Sequence, residues 1–201
     1  MNELRTIYYF KVNDMLHTDE VIWNEDGIFV NKQKLNEETT ILNTTHEIVD
    51  ALKDIYKLNA LSYPKFHKMD LLSKVAFLSA HFLQIEKNIS NIDAFERALL
   101  CNTNTGSEDV DKKFNNSRNL IPSPALFVYT LPNIFMGELA IKYKIKGEHV
   151  CYQVDREDAN KFLENKVNHL FAKKVAKAVL WGTVNALHNK IDVHLKFTFL
   201  K

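Results

Sequence analysis

The most informative stretch of the sequence is Ile121-Pro-Ser-Pro-Ala-Leu-Phe-Val-Tyr-Thr-Leu-Pro-Asn-Ile-Phe-Met-Gly-Glu-Leu-Ala-Ile141, which continues as Lys142-Tyr-Lys-Ile-Lys-Gly147. Apolar residues recur in it at helical spacing, which predicts a helix from Pro124 to Tyr143. Pro132 lies inside this span. Because proline has no backbone N–H to donate and its ring clashes with the preceding turn, we expect the helix to be kinked or split there.

The composition around this stretch is that of a folded domain. The chain has 201 residues, of which 46% are hydrophobic and 11% aromatic, including 13 Phe. That content is ample for a packed core, and we predict a single domain over residues 1–201. Lys and Arg number 26 against 25 Asp and Glu, so the net charge is +1. This balance gives no electrostatic reason to expect nucleic acid as a partner.

The sequence carries no targeting or cofactor signature. Residues 1–10 include an acidic residue, Glu3, and no long apolar run, which does not fit a signal peptide. No run approaches the length of about 18 apolar residues that a membrane-spanning helix needs. Cys101 and Cys151 match no disulfide or zinc framework. We therefore expect a cytoplasmic protein with no bound metal and no cofactor.

Residue patterns predict a mixed α/β fold. Leu4–Val12 is rich in Ile, Tyr, Phe and Val, which favours a first strand. Asp26-Gly27 lies between two short apolar runs, as in a hairpin. Helices and strands alternate along the chain, which favours helices packed on the faces of a mixed sheet. The other predicted strands are Ala98–Asn102, His149–Val154, Ala178–Leu187 and Ile191–Leu200.

The strongest predicted helix is Met69–Ile85. It carries two apolar stripes, so little of it is polar and we expect it to be mostly buried. Thr45–Leu58 and Asp158–Phe171 each show one apolar helical face. Asn31–Asn43 is interpreted as a polar connection, and Ser107–Asn119 as a short surface helix and loop.

The opening stretch resembles a segment of β-ketoacyl synthases, in which it leads into the strand and turn that carry the nucleophilic cysteine. The resemblance implies the N-terminal half of a thiolase-type fold, with a mixed five-stranded sheet and helices on its faces. It also implies acyl-carrier-protein-dependent fatty acid, polyketide or pigment synthesis. The family-motif positions, which are also the candidate pocket residues, are Ser123, Pro124, Phe127, Pro132, Asn133, Gly137 and Gly147.

Other segments extend this resemblance over roughly Met69 to Leu187. Lys68-Met69-Asp70, with an Ala- and Leu-rich helix after it, is similar to the start of a conserved helix in condensing enzymes. Ala98–Gly106 is similar to their next core strand and turn, and Ala178–Val184 to the strand after the nucleophile helix. A plain structural interpretation of the motif is also open, in which its apolar residues are helix core and Gly137 permits close packing.

The nucleophile turn of the family has no counterpart in this sequence. Condensation requires a thiolate at a helix N-terminus and donors for an oxyanion, together with two histidines from the second half of the family's fold. The matching turn is Asp155-Arg-Glu-Asp158, whose carboxylates suit a helix cap but disfavour a neighbouring thiolate. Cys151 precedes that turn within a predicted strand and is a weak nucleophile candidate, more typical of a buried structural cysteine.

Three functions follow from these observations. The first is a non-catalytic, truncated synthase-like subunit that forms a homodimer, or a heterodimer with a full-length β-ketoacyl synthase. Such a subunit could also bind an acyl carrier protein, and we expect His149–Val154 to pair with its partner chain. The second is a small acyl-thioester enzyme that uses Cys151. The third is an unrelated α/β structural protein.

Overall fold

Two long antiparallel strands form the middle of the sheet. They are β6 (Ala178–Leu187) and β7 (Lys190–Leu200), joined by a tight turn at His188-Asn189 and paired in the register Gly182↔Leu195. In β7, Val193, Leu195 and Phe197 are buried and alternate with more exposed residues. This is the period of two that a strand with one buried face requires, and it confirms the prediction for this part of the sequence.

The computed structural model describes residues 15–45, 47–117, 124–154 and 156–201. The predicted first strand Leu4–Val12 and the motif residue Ser123 therefore lie outside the described residues. Within them the sheet has seven strands in the order β3-β2-β1-β7-β6-β4-β5. The other five are β1 (Leu16–Asn24), β2 (Gly27–Val30), β3 (Gln33–Lys34), β4 (Arg97–Asn102) and β5 (His149–Tyr152).

The sheet is mixed, as predicted, but it has more strands than the five that the family resemblance implied. β4 runs parallel to both β5 and β6, while the other neighbours are antiparallel. The additional strands come from the hairpin at Gly27, because β1 pairs along its length with β7 and so brings β2 and β3 into the same sheet.

Eight α-helices lie among the described residues. They are α1 (Asn36–Thr44), α2 (Ile48–Leu58), α3 (Leu71–Phe82), α4 (Ile85–Asn88), α5 (Glu108–Asn116), α6 (Pro124–Val128), α7 (Ile134–Tyr143) and α8 (Arg156–Ala172), with 3-10 turns at Pro64–Lys68 and Ala94–Glu96. The helix predicted over residues 124–143 is split around Pro132, as expected for a residue that cannot donate a backbone hydrogen bond.

The interpretation of Asn31–Asn43 as a polar connection is wrong, because this segment contains β3 and most of α1. Thr39 is buried in α1, where its hydroxyl donates to the carbonyl of Leu35 at 2.6 Å and accepts from the N–H of Ile28 at 3.2 Å. A threonine that satisfies its own hydroxyl can be buried. The polar composition therefore concealed a packed helix.

Helices cover both faces of the sheet. Every residue of α3 from Leu72 to Ala80 is buried, which confirms the prediction for Met69–Ile85, and α2 and α7 pack on the same side. On the other face, α8 places Leu163 and Val167 against Leu100 and Trp181 of the sheet. The result is an α/β/α arrangement in which the carboxyl ends of the parallel strands lie near the start of α8.

Candidate functional site

Most of the family-motif positions lie on the outer side of the segment formed by α6 and α7. Pro124 begins α6 and Asn133 precedes α7, and both are exposed. Phe127 exposes 49% of its surface, and its ring lies 5.5 Å from that of Phe114. Gly137 is exposed, and a Cβ built there meets no atom within 4 Å. Close packing therefore does not account for this glycine.

The other motif glycine has a clear structural role. A Cβ at Gly147 would lie 2.5 Å from the carbonyl oxygen of Arg97 and 2.6 Å from that of Phe95. The N–H of Gly147 donates to the Arg97 carbonyl at 3.0 Å. Only glycine permits this approach, which fixes the chain between α7 and β5. Pro132 is half-buried in the link between α6 and α7.

Asparagine side chains hold the end of β5, just before the segment Asp155-Arg-Glu-Asp158. Asn102 donates to the carbonyl of Val154 at 3.3 Å and accepts from its N–H at 2.8 Å. Asn104 also donates to that carbonyl at 3.3 Å, and its own N–H donates to Asn185 at 2.8 Å. Amides are neutral hydrogen-bonding groups, so this cluster fixes the backbone without supplying a nucleophile or an acid–base group.

The helix after this cluster has a polar outer face. α8 begins at Arg156, and Asp155-Arg-Glu-Asp158 contains no cysteine. Asp155 lies outside the described residues. The exposed residues of α8 are Asp158, Lys161, Glu164, Asn165, Lys166 and His169. A face with this composition gains little from being buried under another layer of protein.

Neither cysteine has the surroundings of an activated thiol. Cys151 is half-buried in β5 and packs against the main core, where burial raises its pKa. Cys101 lies directly opposite in β4 and is fully buried, and burial followed by the neighbouring Cys151 raises its pKa. Reactive cysteines have lowered pKa values, so both thiols are protonated near neutral pH.

A cavity with a volume of about 550 Å³ lies at the start of α3, and we call it the α3 cavity. Its other walls are the start of α2, the loop and helix after β4, α6, and the turn between β6 and β7. The side chains that line it include Asp70, Lys74, Tyr129 and His188. Among the described residues, no family-motif position lines this cavity.

Two buried residues of opposite charge are among those that line the α3 cavity. Lys74 is 4% exposed, donates from Nζ to the carbonyl of Met69, and lies 5.7 Å from the centre of the Phe66 ring. Burial lowers the pKa of Lys74 to about 8, against a smaller opposing effect of Asp70. Asp70 caps α3 by accepting from the N–H of Ser73 at 3.2 Å.

The lowered pKa of Lys74 predicts a pH-dependent stability. In the folded protein Lys74 loses its proton near pH 8, whereas in the unfolded chain it keeps the proton to a higher pH. Above about pH 8 the folded state therefore no longer contains a buried ammonium, and the free-energy cost of burying that charge is lost. The free energy of unfolding of the wild type should therefore rise by about 1 kcal/mol between roughly pH 7.5 and 9.5, relative to Lys74→Met. Urea denaturation at several pH values measures this.

The matched control is Lys57→Met, at a lysine whose side chain is 71% exposed and whose removal should leave the pH profile unchanged. A constant difference in stability between wild type and Lys74→Met across this pH range would contradict the assignment.

Another buried ionisable residue lies on α7. Glu138 is 6% exposed and accepts hydrogen bonds from Tyr129 at 3.0 Å and Tyr63 at 3.4 Å, with Lys65 at 4.0 Å. Burial, then the hydrogen bond to Glu138, raises the pKa of Tyr129 to about 12. The sequence pattern missed this group, because one glutamate in an apolar helix gives no sign of its partners.

The described part of the chain has neither a membrane-spanning helix nor a metal cluster. None of its helices is long and apolar enough to cross a membrane. Within the same residues, no group of three or more His, Cys, Asp and Glu side chains is arranged to hold a metal ion.

Solved structures that share the fold of this chain include the following three. One is the ishigamide ketosynthase/chain length factor, with a TM-score of 0.52 and 14% identity over 66% of this chain and 44% of that one. Another is AntDE:AntF, a type II polyketide synthase acyl-carrier protein in complex with its ketosynthase bound to the hexaketide, with a TM-score of 0.58, 11% identity, and coverage of 76% and 58%.

The third is the ketosynthase ApeO in complex with its chain length factor ApeC from Xenorhabdus doucetiae. Its TM-score is 0.56 and its identity 11%, over 90% of this chain and 76% of that one. The chain spans 44% and 58% of the first two structures. No protein-family model and no curated protein matches the sequence. The fold is thus that of ketosynthases and chain length factors, as the resemblance implied.

Proposed function

We propose that this protein is a non-catalytic β-ketoacyl synthase-like subunit of acyl-carrier-protein-dependent synthesis, with polyketide synthesis as the favoured pathway class. The observation that carries the proposal is a ketosynthase-like fold in which Asn102 and Asn104 bind the backbone at the end of β5, while the sequence that follows, Asp155-Arg-Glu-Asp158, has carboxylates and no cysteine. An amide cluster and two protonated thiols provide no thiolate for condensation.

The proposed partner is a full-length β-ketoacyl synthase or a second copy of this chain, and the proposed contact is the open edge of β5. Among the described residues, β5 has β4 as its one neighbouring strand. The N–H of Leu99 donates to Glu148 at 2.9 Å, and that of Thr103 donates to Tyr152 at 3.1 Å. Glu148 and Tyr152 thus direct their backbone carbonyls to β4. Along a strand of a parallel pair, residues that bond to the neighbour alternate with residues whose backbone groups point the other way, so those of His149 and Cys151 point to the open edge.

An unpaired strand edge of this kind is a template for another strand, and a specific partner protects it from nonspecific association. Apolar side chains on residues 124–143 add surface that a partner would cover, and we propose that this segment lies in the same interface. The exposed ones are Phe127, Val128, Leu131 and Ile141.

Co-expression with a β-ketoacyl synthase encoded beside this protein tests the partnership. We expect the two chains to co-purify at a fixed ratio, or, without a synthase, the protein to sediment as a dimer in analytical ultracentrifugation. A monomer at high concentration that binds no such synthase would refute the partnership. Binding of an acyl carrier protein is the next measurement, with and without the synthase.

The non-catalytic assignment predicts that Cys151 is not acylated. After incubation of the protein with acetyl and malonyl thioesters, we expect the intact mass to be unchanged and no carbon dioxide to be released from the malonyl donor, because both thiols have raised pKa values. Cys151→Ser is the control. One acyl group per chain that disappears in this variant would contradict the proposal and support the small thioester enzyme instead.

A further inference from the structure

We propose that one end of the sheet binds the surface of an anionic lipid membrane. At this end the parallel strands β4, β5 and β6 begin, β1 begins and β7 ends. We call it the basic rim, and it consists of residues 15, 93–96, 144–148, 173–177 and 201. The inference rests on the exposed side chains of the basic rim and does not depend on the proposed synthase partner.

Backbone hydrogen bonds join the segments of the basic rim into one continuous surface. Each of them links residues that flank neighbouring strands. Because neighbouring strands lie about 4.8 Å apart, the five strand ends span roughly 19 Å. The N–H groups and the carbonyls that accept from them are Lys146 to Ala94 at 2.8 Å, Lys177 to Glu96 at 2.8 Å, Leu200 to Lys177 at 3.0 Å and Lys201 to Met15 at 3.2 Å.

The basic rim carries an excess of positive charge that the net charge of the chain conceals. Its segments contain six lysines against three acidic side chains, whereas the whole chain has a net charge of +1. Two of the acidic side chains are already engaged, since Glu96 pairs with Lys177 at 2.9 Å and Asp93 accepts from the N–H of Phe95 at 2.8 Å. The lysines are all exposed, and they are Lys144, Lys146, Lys173, Lys174, Lys177 and Lys201.

Three apolar side chains protrude from the basic rim among these lysines. Phe95 is 68% exposed, Met15 54% and Val175 48%. The turn that carries Phe95 is fixed, because a Cβ added at Gly147 would lie 2.6 Å from the Phe95 carbonyl oxygen. The Nζ of Lys146 lies 5.5 Å from the centre of the Phe95 ring. An aromatic ring held in this way can enter the headgroup region of a bilayer while the ammonium groups beside it stay at the level of the phosphates.

The shape of the basic rim favours a membrane over an acidic protein. A helix of a partner protein docks in a groove, whereas these apolar side chains project outward from strand ends. The α3 cavity and two further cavities, of about 340 and 540 Å³, have no residue of the basic rim in their linings. A membrane offers a continuous anionic surface, on which each nearby lysine strengthens binding by about fivefold.

Sedimentation with lipid vesicles tests the inference. The full-length protein is mixed at low salt with vesicles of phosphatidylcholine alone, and with vesicles that also contain about 30% phosphatidylglycerol. We expect binding to the anionic vesicles to be at least about tenfold tighter than binding to the neutral ones. It should weaken as NaCl is raised from about 0.05 M to about 0.5 M, because salt screens charges at a surface.

Two variants locate the binding at the basic rim. The double variant Lys144→Gln, Lys146→Gln removes two of its charges and should weaken binding to the anionic vesicles by about 25-fold. Phe95→Ser removes the aromatic anchor and should weaken this binding by at least about fivefold. All three side chains are exposed, and thermal melts establish that each variant is folded before it is mixed with vesicles.

The matched controls lie on α2. They are the double variant Lys53→Gln, Lys57→Gln, which changes the net charge by the same amount, and Leu58→Ser, which removes a leucine that is 44% exposed. Both should bind the anionic vesicles as the wild type does. A loss in these controls as large as that in the rim variants would show that the effect comes from overall charge or apolarity.

The inference is overturned by any of three further results. They are no binding of the wild type to the anionic vesicles at low salt, equal binding to neutral and anionic vesicles, and equal affinity of the wild type and both rim variants. Soluble polyglutamate imitates an acidic protein. Tighter binding to polyglutamate than to the vesicles, at equal concentrations of carboxylate and anionic lipid, would assign the basic rim to a protein partner instead.

Discussion

A Gly182→Ala variant is expected to lose more than about 3 kcal/mol of unfolding free energy. Gly182 lies in the middle of β6 with φ at 144°, a conformation that other residues rarely adopt. A Cβ there would lie 2.1 Å from the carbonyl oxygen of His194 and 2.8 Å from the Cα of Leu195. Both atoms belong to the backbone of β7, so the clash cannot be relieved without separating the two central strands. Urea denaturation followed by circular dichroism measures the loss.

Gly137→Ala is the matched control for this variant. Gly137 is exposed within α7, and an added Cβ would meet no atom within 4 Å. Alanine has the higher helix propensity, so we expect this variant to be stabilised by up to about 1 kcal/mol. Equal stability of Gly182→Ala and the wild type would show that β6 and β7 do not approach each other as described.

A His149→Pro variant is expected to lose association with the partner chain while keeping its own fold. The backbone N–H of His149 points to the open edge of β5, so proline there removes a donor needed by an added strand and none that pairs with β4. We expect binding to the synthase, or self-association, to weaken at least about tenfold. Sedimentation and co-purification measure the change.

His149→Ala separates the backbone effect from that of the side chain. The ring nitrogen Nε2 of His149 makes a 3.1 Å contact with the carbonyl of Ile145, and both variants lose it. We expect His149→Ala to associate normally. If the proline variant binds its partner as the wild type does, and circular dichroism shows both to be folded, the interface does not involve the edge of β5.

Much of the fold could be predicted, because several helices and strands repeat a regular spacing of apolar residues along their whole length. The two apolar stripes of Met69–Ile85 require burial on all sides, and the alternation in Ile191–Leu200 requires one buried strand face. The helix around Thr39 could not be predicted from its polar composition, because it is held by a buried threonine hydroxyl that bonds to Leu35 and to Ile28 of the preceding hairpin.

The candidate site could be predicted only in part. The absence of a cysteine at Asp155-Arg-Glu-Asp158 is visible in the sequence, and so is a helix start at Asp70. The α3 cavity is not, because segments that are distant in the sequence form its walls around Lys74. The environment of Glu138 is hidden for the same reason, since Tyr63 donates to it from 75 residues away. Periodicity shows which face of a helix is apolar, but not which charged residue is enclosed when other elements pack around it.

The strand order has a consequence for how the protein folds. β7 lies between β1 and β6, although it is the last of the seven strands in sequence. The register of β1 and β7 pairs Leu16 with Leu200. The N-terminal hairpin and the parallel strands are therefore two separate groups until β7 is synthesised and joins them. Contacts of such long sequence separation slow folding, and the strand edges that β7 pairs with stay open until it joins them.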